Sequence, residues 1–262
     1  MSLIKVPLIV LVSLAYNTLG AHPIPSKRAS KSDPAVQTSV LDKRIWVDIA
    51  LRTYVCPSTN KYQSTSVPNY SFSTSLKLFQ MTFGGLEIGM ILANAFPEYS
   101  VSHTILSMIT FADNGYSHQP RLTTMSAVGA MAMILGSAFR LRSYEDMGDM
   151  FTADITIQKN HRLIKSGTYS IVRHPSYTGY LAFLVGWVMW NSAEGSWLRE
   201  SGILGSWYGI TFVVLYSIVI LYGAPVVISR IPKEDAALKK HFGKEWDDWV
   251  RNVPYALIPG IL

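Results

Sequence analysis

Apolar and polar positions divide the chain into membrane-length apolar runs separated by short polar breaks. The runs are 3–19 (LIKVPLIVLVSLAYNTL), 76–96 (LKLFQMTFGGLEIGMILANAF), 122–139 (LTTMSAVGAMAMILGSAF), 177–192 (YTGYLAFLVGWVMWNS) and 206–229 (SWYGITFVVLYSIVILYGAPVVIS). A hydrocarbon core takes roughly 20 mostly apolar residues to cross, so the pattern predicts transmembrane helices. Residues 99–112 are apolar but short, enough for a hairpin partner that only half spans. The predicted fold is all-α, a polytopic transmembrane helix bundle of about 5–6 spans, because only helices satisfy their own backbone in lipid at such lengths.

Three regions follow. Residues 1–20 are either an N-terminal transmembrane segment or a signal peptide, since Gly20 and Ala21 follow a short apolar core. Residues 21–120 form a variable membrane region that opens with a Ser-, Thr-, Pro- and Lys-rich polar connector. A short helix is expected there at 41–55 (LDKRIWVDIALRTYV). Asn69-Tyr70-Ser71 is a glycosylation sequon if the loop is lumenal, whereas five cations between Lys27 and Arg44 argue for the cytosolic side. Glu87 lies inside an apolar run, which marks it either as functional or as a bonded group at a helix contact. Ala127, Gly129, Ala130 and Gly136 allow close helix packing.

The third region, 121–262, holds the chemistry. Arg140, Arg142, Lys159, Arg162, Lys165 and Arg173 make 140–176 a cytosolic loop by the positive-inside rule. Two crossings follow, with Pro225 expected to kink the second or end it early. The loop and the tail 230–262 therefore share one face of the membrane. The tail reads as an amphipathic helix with Pro232 in its first turn and Glu234 and Asp235 at its positive dipole end. Leu238, Phe242, Trp246, Trp249 and Val250 form one apolar stripe, which suits a membrane surface or the cap of a site.

Composition agrees with this picture: hydrophobic residues are 49% and charged residues 15%, and the 7 Trp and 14 Tyr suit membrane–water interfaces. The net charge of +6 sits in loops beside apolar runs, where it sets topology and meets lipid headgroups rather than nucleic acid. Cys56 is the sole cysteine, which excludes an intramolecular disulfide and a CxxC site, and the histidines show no HExxH spacing, so no metal is expected.

The stretch 161–180, HRLIKSGTYSIVRHPSYTGY, is the most polar island between apolar runs. Pro175 holds His174 out of the helical region, and Gly179 lets backbone approach where a helix enters the membrane. Local chemistry alone is equally consistent with a topogenic basic loop. The tail adds Arg230, Glu234, Asp235, Leu238, Phe242, Gly243, Trp246 and Trp249 in the pattern RxxxEDxxLxxxFGxxWxxW. Upstream lie Gly136, Arg140, Gly148 and Phe151-Thr152, and near the end VPxxLIP.

Taken together these motifs resemble the isoprenylcysteine carboxyl methyltransferase family over the C-terminal half, while the first 120 residues match it only in being hydrophobic. The resemblance implies an endoplasmic-reticulum membrane enzyme whose cytosol-facing pocket binds S-adenosyl-L-methionine. It implies transfer of a methyl group to the C-terminal carboxylate of prenylated cysteine in CaaX proteins. It places His161, Arg162, Leu163, Ile164, Tyr169, His174, Pro175, Ser176, Tyr177 and Glu234 on the cofactor, with Glu234 near its ammonium group. Arg230 would hold the substrate carboxylate, and Tyr180 stands where relatives carry tryptophan at the lipid-side entrance. Asp235 in place of a second glutamate, and Pro232-Lys233 in a usually acidic run, depart from the family and bear on substrate preference.

The chemistry is coherent, because a carboxylate with a pKa of about 3.5 is already an ionised nucleophile and needs no general base. Three rivals remain. An aminolipid N-methyltransferase must deprotonate its substrate and has no use for a carboxylate-holding arginine. A sterol reductase-like protein requires a nicotinamide site, which the sequence does not show. A non-catalytic membrane protein would use these loops for topology alone.

Overall fold

A computed structural model describes residues 2–19, 70–111, 120–150 and 161–261. The described elements are all helical: α1 (Lys5–Leu19), α2 (Tyr70–Ala95), α3 (Ser100–Ile109), α4 (Thr124–Met147), α5 (Pro175–Ser192), α6 (Trp207–Leu221), α7 (Gly223–Phe242) and α8 (Lys244–Asn252), with short helical turns between some of them. Among the described residues two stretches are long and apolar enough to cross a membrane, α4 and the run Trp207–Phe242. The helix expected at 41–55, Asn69 of the sequon and Phe151-Thr152 lie outside the described residues.

Two boundaries differ from the sequence reading, while the break expected near Pro225 is found. The helix of the third run does not stop before Arg140 but continues to Met147. Arg140 permits this because it is 3% exposed, with its guanidinium over the rings of Tyr144 and Tyr180. The last run breaks at Tyr222, and Pro225 falls in the first turn of α7. Without an N–H, Pro225 cannot bond back to Leu221, so a new helix begins there. Pro232 lies inside α7 rather than in a first turn, and the amphipathic tail is divided at Gly243 (φ +53°) into α7 and α8.

The chain forms two compact units. The first comprises Met1–Asn17, Thr74–Leu135 and Ala182–Leu221. Met90, Ile91, Trp187, Trp190 and Trp197 are buried in it. Glu87 proves to be a bonded group at a helix contact. It is ion-paired with Lys5, which is fully buried, donates to the Gly195 carbonyl at 2.8 Å and lies 4.8 Å from the Trp190 ring centre. Gly129 bears out the close packing expected of it, since a Cβ there would stand 2.8 Å from the Gly186 carbonyl oxygen.

The second unit includes Gly136–Leu181 and Tyr222–Leu262. Gly179 is a point of close helix approach, where a Cβ would run into the Gly136 carbonyl and stand 2.9 Å from the Arg140 nitrogen. All the predicted site residues lie within this unit.

Candidate active site

The site starts from the local chemistry of His174-Pro175. Pro175 opens α5, where the missing N–H is no loss. The His174 carbonyl accepts from the amides of Tyr177 and Thr178, both at 3.0 Å. The turn is fastened to the end of the chain by the Arg173 amide donating to Tyr255 O at 3.0 Å and the His174 amide to Ala256 O at 2.9 Å. Thr178 Oγ1 donates to Leu257 O at 2.7 Å. Arg173 reaches back through one terminal nitrogen to the carbonyls of Val253, at 3.2 Å, and Pro254.

An ionic cluster is built on this turn. His174 Nε2 is 2.8 Å from Asp235 Oδ1, and its Nδ1 is 3.4 Å from Glu234 Oε2. The imidazole stacks on the Tyr177 ring at 5.5 Å, with planes 3° apart. The Tyr177 hydroxyl donates to Glu234 Oε1, and Arg230 Nε donates to the same oxygen at 3.2 Å. Arg230 and Glu234 meet because residues four apart share a helix face. Arg173 donates to Asp235 Oδ2 at 3.2 Å, so each carboxylate is met by His174 and by one arginine. Burial opposes charge on His174, but hydrogen bonds to Asp235 and Glu234 and the charges of both outweigh it and lift its pKa to about 9. The imidazole is therefore cationic at neutral pH.

Around this cluster lies an apolar wall. Tyr169, Trp246, Trp249 and Val253 are buried together, with Leu163, Ile164, Leu238, Phe242 and Val250 packed on them. The tail's predicted stripe thus faces the 161–180 segment and caps it. The segment is shaped by Asp146, whose Oδ2 accepts from the Thr168 amide at 2.7 Å and Oγ1 at 2.9 Å. His161 stands 6.0 Å from the Phe242 ring, and its Nδ1 is a buried atom with no hydrogen-bond partner among the described residues. Burial, and then the charge of His241, hold its pKa below the ordinary histidine value. Arg162 is exposed. The Ser176 carbonyl accepts from Arg140 at 3.1 Å. Tyr180 is 2% exposed and lies against Gly223.

The structure therefore gathers His174, Tyr177, Arg230 and Glu234 into one cluster, and Leu163, Ile164 and Tyr169 into the adjoining wall. Asp235, Arg173 and the strap 253–257 lie within the motifs read from the sequence, but no role in the site was assigned to them there. The one hint was chemical, an arginine and a histidine adjacent in a turn and two adjacent acids on the facing helix.

These features define a helical protein of membrane type whose polar site joins a pre-helical turn to an acidic and basic helix. Residues 128–195, which include the RHPSYTGY turn, match the Isoprenylcysteine carboxyl methyltransferase (ICMT) family, the family that the motifs resemble. The chain is 29% identical to a protein-S-isoprenylcysteine O-methyltransferase of Dictyostelium discoideum over 176 residues, 65% of this chain and 64% of that protein. It is 29% identical to protein-S-isoprenylcysteine O-methyltransferase B of Arabidopsis thaliana over 137 residues, 50% and 57% of the two chains. With the Mus musculus protein-S-isoprenylcysteine O-methyltransferase it shares 27% over 176 residues, 66% and 55%. In each case the match spans less than two thirds of the relative's length.

Proposed function

We propose that the protein is an integral membrane methyltransferase that moves a methyl group from S-adenosyl-L-methionine to the C-terminal carboxylate of a prenylated cysteine. The proposed setting is the endoplasmic-reticulum membrane, with five or six spans in all and the site facing the cytosol. The observation that carries the reading is the meeting of Tyr177 and His174 with Arg230 and Glu234, residues that the family resemblance assigns to one pocket. An aminolipid substrate would call for a base, whereas His174 is held cationic.

The donor set fits the cofactor. Glu234 offers a carboxylate for an ammonium group, His161 Nδ1 is a buried nitrogen with no bond to another described residue, and Leu163, Ile164 and Tyr169 give an apolar surface for a ring. His161, Arg162, Pro175 and Ser176 complete the proposed shell. S-adenosyl-L-methionine would supply an electrophilic methyl group on sulfur. The residues do the rest by placement, and orienting two reactants can remove roughly 7–11 kcal/mol of barrier. Arg230 would hold the substrate carboxylate through its planar fork, while the wall limits water. Tyr180 would line the path of the prenyl chain.

The test is a vesicle assay with labelled S-adenosyl-L-methionine, offering N-acetyl farnesylcysteine or phosphatidylethanolamine. Base-labile ester label on the first alone is the expected result. Label on neither would end the methyltransferase reading, and label on the lipid alone would replace the substrate. Arg230→Ala is expected to abolish turnover while equilibrium binding of the labelled cofactor persists. Surviving turnover would remove Arg230 from the carboxylate-holding role.

A further inference from the structure

We infer that Asp235 is a positioning residue of this site, orienting His174 so that the imidazole can keep Glu234 compensated when Arg230 turns to a substrate carboxylate. The inference rests on the proposed function and adds to it a residue and a partner exchange. Its starting point is a conflict in the geometry. Arg230 Nε already donates to Glu234 Oε1 at 3.2 Å, so an arginine meant for substrate is engaged by an acid meant for cofactor. Withdrawing a cation from a part-buried carboxylate is costly unless another donor remains.

His174 is that donor. Its Nδ1 faces Glu234 Oε2, the oxygen that Arg230 Nε does not use. It can face that way, carrying a proton, because Asp235 Oδ1 binds Nε2 at 2.8 Å. A cationic imidazole has both nitrogens as donors, so one ring can serve two carboxylates. Asp235 is itself steadied by one terminal nitrogen of Arg173, whose other terminal nitrogen donates to Val253 O and Pro254 O. The chain of support runs from the strap through Arg173 and Asp235 to His174, and from there to Glu234.

The charged and titratable groups facing His174 can be named. From α7 come Glu234 and Asp235, with Arg230 behind Glu234. From α5 comes Tyr177, stacked on the ring, and from its own turn comes Arg173. The strap presents the carbonyls of Tyr255 and Ala256 to the backbone of the turn. The three cations Arg173, His174 and Arg230 stand against the two anions Glu234 and Asp235. The surplus positive charge is what an anionic substrate would meet.

The experiment uses the full chain with 13C-labelled histidine in micelles, taking the His174 signal as the one lost in His174→Gln. The wild-type signal should titrate near pH 9, where its bonded acids place it. In Asp235→Asn it should fall toward the ordinary value of about 6.5. At about pH 7.5 only about a tenth of such histidines stay charged, so turnover should drop about tenfold and recover toward about pH 6. Asp235→Glu should keep most of the wild-type profile. Titration of wild-type His174 at or below the ordinary value overturns the inference, even if Asp235→Asn fails to fold. A loss in Asp235→Asn that is equal at every pH overturns it as well. If the wild type transfers no methyl group, the functional proposal fails, and the titrations alone still decide the coupling between Asp235 and His174.

Discussion

Replace Gly179 by alanine and the new methyl group has no room. It would run into the Gly136 carbonyl oxygen and stand 2.9 Å from the Arg140 nitrogen and 3.0 Å from its Cβ. The first two obstacles are helix backbone, which cannot swing aside as a side-chain end can, so α5 would have to lift off α4. Overpacking of this kind costs about 1–3 kcal/mol. Against it stands alanine's helix preference over glycine, about 1 kcal/mol. The clash should win by up to about 2 kcal/mol, a fall in Tm of up to about 8 °C at about 2–4 °C per kcal/mol for a chain of this size. Gly85→Ala is the control, because its added Cβ meets nothing within 4 Å and should hold or raise Tm. The assay is thermal unfolding of the purified full chain followed by tryptophan fluorescence. Because the same helix opens with Pro175, Ser176 and Tyr177, turnover should fall alongside Tm. A Gly179→Ala protein as stable as Gly85→Ala would refute the claim that contact at this glycine sets the helix spacing.

Lys5→Ala strands Glu87, only 4% exposed, without its cation. Breaking such a pair costs about 3–5 kcal/mol, so Tm should fall further than in Gly179→Ala, and Lys5→Met with Glu87→Met should recover most of it. His174, raised to about 9, contributes ion-pair stability that is complete below its ordinary value and is lost as pH rises through about 9. The Tm gap between wild type and His174→Gln should therefore be wide at neutral pH and narrow above about pH 10. Asp146→Ala removes the acceptor of two Thr168 hydrogen bonds, at 2.7 and 2.9 Å. A loss of about 1–3 kcal/mol is expected, read as faster amide exchange at Thr168 and Tyr169.

What the sequence made legible follows from what apolar pattern can encode. Helices were readable wherever an apolar run was long, as at Tyr70–Ala95 and Pro175–Ser192, because burial demands the run. Helix ends were less so. Arg140 reads as a loop residue by charge, yet its packing under Tyr144 and Tyr180 is tertiary and leaves no local mark. The stripe Leu238–Phe242–Trp246–Trp249 predicted its own burial, although Gly243 divides the helix that carries it. The meeting of the basic turn and the tail was expected from topology, since the two crossings read from the sequence would return the chain to the same face. The pairing itself was not. Nothing in the spacing distinguishes Asp235, which holds both Arg173 and His174, from a helix-dipole acid, nor shows that Tyr255 and Ala256 will serve as backbone acceptors.

The cluster also bears on why a carboxylate would be methylated here without a base. In the proposed reaction a sulfonium cation and a carboxylate anion are both consumed, and a low-dielectric setting favours the loss of opposite charges. Arg230 must then orient the carboxylate without binding it so firmly that its nucleophilicity is lost. An arginine free of other partners would grip hard. One that already donates to Glu234 Oε1 at 3.2 Å has a competitor four residues away and grips less. In that reaction the shared acid would moderate the hold on substrate, and the imidazolium on the acid's other oxygen would keep the sharing reversible. On this reasoning Glu234 and Asp235 have separate tasks although they are adjacent in sequence. Glu234 is the exchangeable partner of Arg230, and Asp235 is the fixed partner that keeps His174 charged while the exchange takes place.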